Sequence, residues 1–216
     1  MHEHFDNYCE RVDFTFWSEP VNAITNAAFV IAGLLVVFFW RRSKTKHPAV
    51  LFLGIWICVI GIGSFLLHTF ATGWAAAADV IPILVFILVY LFLALRNYLT
   101  LPLWACALIT VAFVPVSAVI TPLAAPLIGS SAGYASAFLA IVIVGVLMLP
   151  RERVIANGLI LTGVIFAVSI AFRTIDEPVC SAFSLGTHFL WHILNAVVLY
   201  RLAMIFLRKK EEVAAA

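Results

Sequence analysis

The chain has 216 residues, 64% of them hydrophobic and 11% charged, and a formal net charge of +2. Soluble domains run at about 45–50% apolar and about 25% charged. A mean hydropathy of +1.11 therefore excludes a water-soluble globular protein and describes an integral membrane protein. No basic patch with interleaved aromatics is available for nucleic acid, and no polar stretch is long enough for a sizeable soluble domain.

In chain order, residues 1–19 read as an acidic extracytoplasmic tail, 20–208 as a transmembrane domain and 209–216 as a short cytoplasmic tail. The opening Met1-His2-Glu3-His4-Phe5-Asp6 lacks the basic-then-apolar order of a cleaved signal peptide and is expected in the mature protein. Hydropathy predicts an all-α, seven-transmembrane-helix bundle with spans near 20–40, 48–70, 74–95, 101–120, 130–149, 154–173 and 183–207, each close to the length a bilayer requires. Ser18 is placed to cap the first span and Pro20 suits a first helical turn. Pro122, Pro126 and Gly129 break the pattern between the fourth and fifth spans. No internal repeat is visible, which counts against the inverted-repeat transporters.

Charge sets the expected orientation. Arg41, Arg42, Lys44 and Lys46 follow the first span, Arg96 the third, Arg151 and Arg153 the fifth, and Arg208, Lys209 and Lys210 the seventh. The alternate ends carry only Arg11 and Arg173. By the positive-inside rule the N-terminus is outside and the C-terminus cytoplasmic. Arg173 is expected to pair with Asp176 or to snorkel. The outer side is acidic, with Asp6, Glu10, Asp13 and Glu19 in or beside the tail. Such a group is either a solvated tail or a site for a hard cation such as Ca²⁺. Cys9 and Cys180 share that oxidising side and are expected to form a disulfide, whereas Cys58 and Cys106 lie within spans as small apolar fillers.

The most informative residues lie in the last span, where His188 and His192 stand four apart and share a helix face. Two readings fit such a pair: buried histidines hydrogen-bonded to neighbours, or two ligands of a metal. His68 ends the second span, one turn above Ser64, and Asp79 lies in the first turns of the third. His68, Asp79, His188 and His192 fall at one depth near the outer surface. Three neutral imidazoles leave Zn²⁺ its full charge and an open position for water, the arrangement that lowers the water's pKa towards ~7. Asp79 is then placed for proton transfer and Ser64 for hydrogen bonding to a developing oxyanion. Glu19, Asn22 and Asn26 form a polar stripe on the first span, and Asn195 continues the histidine face inward. Asn26 and Asn195 are expected mainly as interhelical hydrogen-bond partners.

Ser64-x-x-x-His68, Asp79 and His188-x-x-x-His192, with the opening Tyr8-Cys9-Glu10-Arg11 and Trp17-Ser18-Glu19-Pro20-Val21-Asn22, resemble the alkaline ceramidase family. Its wider superfamily holds the adiponectin-type receptors and Per1-like lipid-remodelling proteins. The resemblance implies a zinc amidase that cleaves the N-acyl bond of ceramide to a fatty acid and a sphingoid base. It implies zinc on His68, His188 and His192, with Ser64 and Asp79 as catalytic companions. It also implies Ca²⁺ at the N-terminal tail, where Glu10 and Glu19 match best and Asp6 and Asp13 are near, although the Cys9-to-Glu19 spacing is shorter than in the eukaryotic enzymes. The family's outer-face disulfide agrees with a Cys9–Cys180 pairing.

Two other classes compete. One is a receptor-like protein with structural zinc, against which the short tails argue; the other is a zinc esterase acting on phospholipid or lipid-anchor acyl chains. A retinal protein is excluded because the last span has no lysine before Lys209. The short chain and brief loops look bacterial, which puts the protein in an inner membrane with its site near the non-cytoplasmic face. A membrane lipid is the expected substrate, and no protein partner is implied.

Overall fold

A computed structural model describes residues 3–215. The described chain is helical throughout: α1 (Pro20–Thr25), α2 (Ala27–Arg42), α3 (Pro48–Phe70), α4 (Gly73–Asn97), α5 (Leu103–Ile128), a 3₁₀ turn (Gly129–Tyr134), α6 (Ala135–Met148), α7 (Arg153–Thr174), the short α8 (Asp176–Val179) and α9 (His188–Ala215). Among these residues, six stretches are long and apolar enough to cross a membrane: Pro20–Arg42, Pro48–Phe70, Gly73–Asn97, Leu103–Met148, Arg153–Thr174 and His188–Ala214. The chain is an integral membrane protein. The fourth stretch differs from the expected pair of spans in being a single 46-residue apolar run, within which the 3₁₀ turn separates α5 from α6 and the two helices touch.

Side chains account for the breaks. The first stretch is interrupted at Asn26 because Thr25 Oγ1 donates to Val21 O (2.7 Å) and Asn26 Nδ2 donates to Asn22 O (2.9 Å). Such back-bonding competes with the helical ladder and bends it. Ser18 does not cap this helix as expected. Its hydroxyl accepts instead from the amides of Val12 and Asp13, and the cap is the Glu10 carboxylate, which accepts from the amides of Val21 (2.7 Å) and Asn22 (2.8 Å). A carboxylate there satisfies orphan donors and suits the positive end of the helix. Pro122 and Pro126 do not end α5, which runs on to Ile128. Proline is tolerated within membrane helices, and the chain turns only at Gly129, whose φ of +51° demands glycine.

The bundle packs α3 between α2 and α4, and α9 against α2, α3 and α7, while α5 stays peripheral. Small residues permit the closest approaches. A Cβ at Gly63 on α3 would collide with the backbone oxygen of Ala78 on α4, so glycine there lets the two helices touch one residue from Ser64 and Asp79. Cys58 is half-buried and Cys106 buried, both as free thiols.

The N-terminal tail folds over one end of the bundle. His4 bridges to Thr72 and the Phe5 amide donates to Ala71 O. Cys9 is joined to Cys180 by a disulfide, with 5.4 Å between Cα atoms. Asp176 secures the same junction: it accepts from the Cys9 amide (3.0 Å) and from the amides of Thr187 (2.7 Å) and His188 (2.9 Å). Tail, interhelical loop and the start of α9 are thus tied to one carboxylate. Of the two expectations for Arg173, the pair with Asp176 is not formed, because those three amides already occupy the Asp176 oxygens.

Candidate active site

Beneath that tail, His68 from the last turn of α3 meets His188 and His192 from the first turns of α9. Ring centroids lie 5.2 Å apart for His68–His188, 4.7 Å for His68–His192 and 4.6 Å for His188–His192. One nitrogen of each lies within 4.8 Å of the others, and all three side chains are at most 2% exposed. Among the described residues this is the one set of three histidine, cysteine or carboxylate side chains that converges in this way.

Neighbours orient the rings. Glu19 Oε2 lies 2.6 Å from His68 Nδ1, and Thr25 Oγ1 lies 2.9 Å from His192 Nδ1. In both rings Nε2 is left to face the cluster. His192 Nε2 and His188 Nδ1 are buried with no hydrogen-bond partner. Buried imidazole nitrogens left unpaired are costly in a core of histidines serving only packing, and they are what metal ligands look like before the ion is counted. Oriented rings, free lone pairs and an all-nitrogen donor set fit a borderline-soft divalent cation. The group can hold a metal ion.

The acids of the tail do not fit a second ion as arranged. Glu10 caps α1. Asp13 Oδ1 accepts from the Thr15 amide and hydroxyl (2.9 and 2.7 Å), which hold its carboxyl below the ordinary carboxylate range. Asp6 is exposed. Glu19, 1% exposed, already faces a cation, since Arg11 Nε donates to its Oε1 at 2.5 Å. Arg11 is itself buried and also donates to Asp13 O and His68 O, at 3.0 Å each. Its guanidinium thus supplies the positive charge beside Glu19. Burial opposes ionisation of Glu19, but His68 and Arg11 outweigh it and hold the carboxyl low. At Glu10 burial wins and pushes the carboxyl up, despite two amide donors.

Tyr8 closes the cluster from the tail side, its ring stacked on His188 at 3.9 Å and 4.9 Å from His68. Asp79, on the second turn of α4, is buried with Oδ1 unpartnered. Two cavities meet at Asp79 and Ser64. One, of about 910 Å³, runs down the bundle between apolar walls that include Phe29, Phe86, Phe166 and Leu202. The other, of about 690 Å³, lies under the tail and is lined by Asn7, Tyr8, Arg173 and His188 as well. Asn195 lines the apolar cavity, and Asn26 bonds within its own helix, so neither is the interhelical bridge the sequence suggested.

The family described as Ceramidase matches residues 6–213. The chain belongs to the ceramidase family. A comparison with curated proteins returns no match. Of the three histidines, His188 lines the cavity under the tail together with Asp79 and Ser64, which also line the apolar cavity. Sequence reasoning singled out the histidines, Ser64 and Asp79, but passed over Tyr8, Arg11 and Thr25 as site residues. Tyr8 and Arg11 carried a signal in the Tyr8-Cys9-Glu10-Arg11 motif; Thr25 carried none.

Proposed function

We propose that the protein is a zinc-dependent amidase of the membrane that hydrolyses the N-acyl bond of ceramide-like lipids to a fatty acid and a sphingoid base. The observation that carries this reading is that His188 of the histidine cluster shares a cavity with Asp79 and Ser64, which in turn line an apolar cavity, in a ceramidase-family chain. His68, His188 and His192 would hold the zinc, which when bound supplies Lewis acidity and a water of lowered pKa.

The chain's own groups do the rest. The apolar cavity takes the acyl chain and brings the amide carbonyl to Ser64 and Asp79. Asp79, buried at the join of the two cavities, accepts a proton from the attacking water and returns it to the leaving nitrogen. Ser64 donates a hydrogen bond to the carbonyl oxygen as it gains charge. Glu19 and Thr25 fix the tautomers of His68 and His192, so that Nε2 of each ring carries the lone pair.

We further propose seven spans, counting α5 and α6 separately, with the N-terminus outside and the site near the non-cytoplasmic face. The charge distribution along the chain supports this orientation.

The deciding experiment measures bound metal together with fatty acid released from N-acyl sphingosine. One zinc per chain and measurable release are expected. Asp79→Asn should retain the metal and lose roughly 100-fold or more in turnover, whereas His68→Ala should lose both. Full turnover in both variants removes the proposal. Product analysis on phospholipids separates the amidase from an esterase.

A further inference from the structure

Arg173, in the last turn of α7, lines the cavity under the tail and forms no ion pair there. It shares that cavity with Asp79, Ser64, His188, Asn7 and Tyr8. Its Nη1 donates to the hydroxyls of Ser130 (3.0 Å) and Ser131 (3.3 Å), and its guanidinium lies 5.6 Å from the Tyr134 ring centre and 5.7 Å from that of Trp191. Asp176, the nearest acid in sequence, is committed to three backbone amides. No carboxylate among the described residues forms an ion pair with it.

This contrasts with Arg11, the other arginine at this end of the bundle, which is paired with Glu19. A guanidinium carries five N–H donors in a rigid fork suited to phosphate and carboxylate oxygens. Hydroxyls and ring faces hold such a group in place without an ion pair, and a guanidinium so held keeps donors of its fork open to an ionic partner. The missing partner is therefore an anion that enters the cavity.

We propose that Arg173 forms the headgroup subsite of the reaction centre and selects N-acyl lipids whose headgroup carries a phosphate or similar anion over neutral ones. The inference rests on the amidase reading, which places the acyl chain in the apolar cavity and leaves this polar one for the rest of the lipid. Tyr134 and Trp191 border both cavities and hold the guanidinium beside the join between them. Asn7 and Tyr8 add donors from the tail.

The test compares kcat/KM for ceramide and for ceramide 1-phosphate of the same acyl chain, in neutral detergent, with the zinc-loaded protein. The wild type should favour the phosphate by roughly 10–100-fold, the range of a hydrogen bond to a charged group. In Arg173→Gln that ratio should collapse towards one, mainly through KM for the phosphate lipid, and Arg173→Lys should recover part of it. A wild-type ratio near one overturns the proposal, as does an equal loss on both lipids in Arg173→Gln, which would make Arg173 a stabiliser of the reacting groups.

A second measurement does not depend on turnover: thermal stabilisation of the Asp79→Asn protein by each lipid. If ceramide is cleaved without preference for the phosphate, the headgroup inference fails and the amidase stands. If neither lipid is cleaved but ceramide 1-phosphate alone stabilises the protein, and only with Arg173 present, the amidase reading fails and the subsite stands. No stabilisation by the phosphate lipid in either background sinks the subsite.

Discussion

At the scale of single residues, the histidines are held by groups that never touch a substrate. Glu19 receives Arg11 on one oxygen and faces His68 with the other, while Thr25 faces His192. Outer partners of this kind are worth about 10–100-fold in metal affinity. Glu19→Gln and Thr25→Val should each weaken zinc binding by that range in a competition titration with a chromogenic chelator; an unchanged affinity in both would mean the rings are oriented by packing alone. Arg11 leads to a separate expectation. With its guanidinium already between Glu19, Asp13 and His68, calcium has no carboxylate pair left to enter. Zinc content and melting temperature should therefore be the same in Ca²⁺ and in EGTA, and a calcium-dependent rise in melting temperature would restore the ion at Asp6, Glu10, Asp13 and Glu19. The histidines, Ser64 and Asp79 were legible from the sequence because ionisable and polar groups are conspicuous in apolar helices. Arg11 and Glu19 were not legible as a pair, because charges in a short polar tail are unremarkable until folding buries them.

At the scale of elements, the tail is a structural part of the site. It caps α1 through Glu10, stacks Tyr8 on His188 and is fastened to the loop before α9 by the Cys9–Cys180 bridge, which spans 171 residues. A bridge closing so long a loop stabilises by about 2–4 kcal/mol in the usual range. The double variant Cys9→Ser/Cys180→Ser should unfold at a lower temperature and lose zinc more readily to a chelator, because both α9 ligands lie within a few residues of the loop it fastens. An unaltered rate of zinc loss would show that Asp176 alone holds the junction. Here the sequence was a partial guide. It marked the two cysteines as a disulfide on one side, but offered Asp176 only as one of two options for Arg173, when three amides from two distant segments take it.

At the scale of the whole molecule, two cavities of different character share lining residues. Apolar walls lie on the side of Phe86 and Leu202, a polar chamber lies under the tail, and Ser64 and Asp79 sit between them. The proposed topology puts that chamber on the non-cytoplasmic side. Single cysteines introduced at Thr45 and at Asn7, in a background with Cys58 and Cys106 replaced, should label with an impermeant maleimide only at position 7 in intact cells. Labelling at position 45 instead would reverse the orientation and with it the side from which headgroups enter.

The sequence by itself determined that the chain is a helical membrane protein and that three histidines, a serine and an aspartate fall near one level of it. Hydropathy and helical period are local properties, so they survive without knowledge of packing. Only the tertiary structure decided which helices touch, that α5 continues through its prolines, that Glu10 rather than Ser18 caps the first helix, and that Arg173 lines a cavity without forming an ion pair. Those outcomes depend on which distant groups compete for the same donor, and that competition is settled only when the helices are packed.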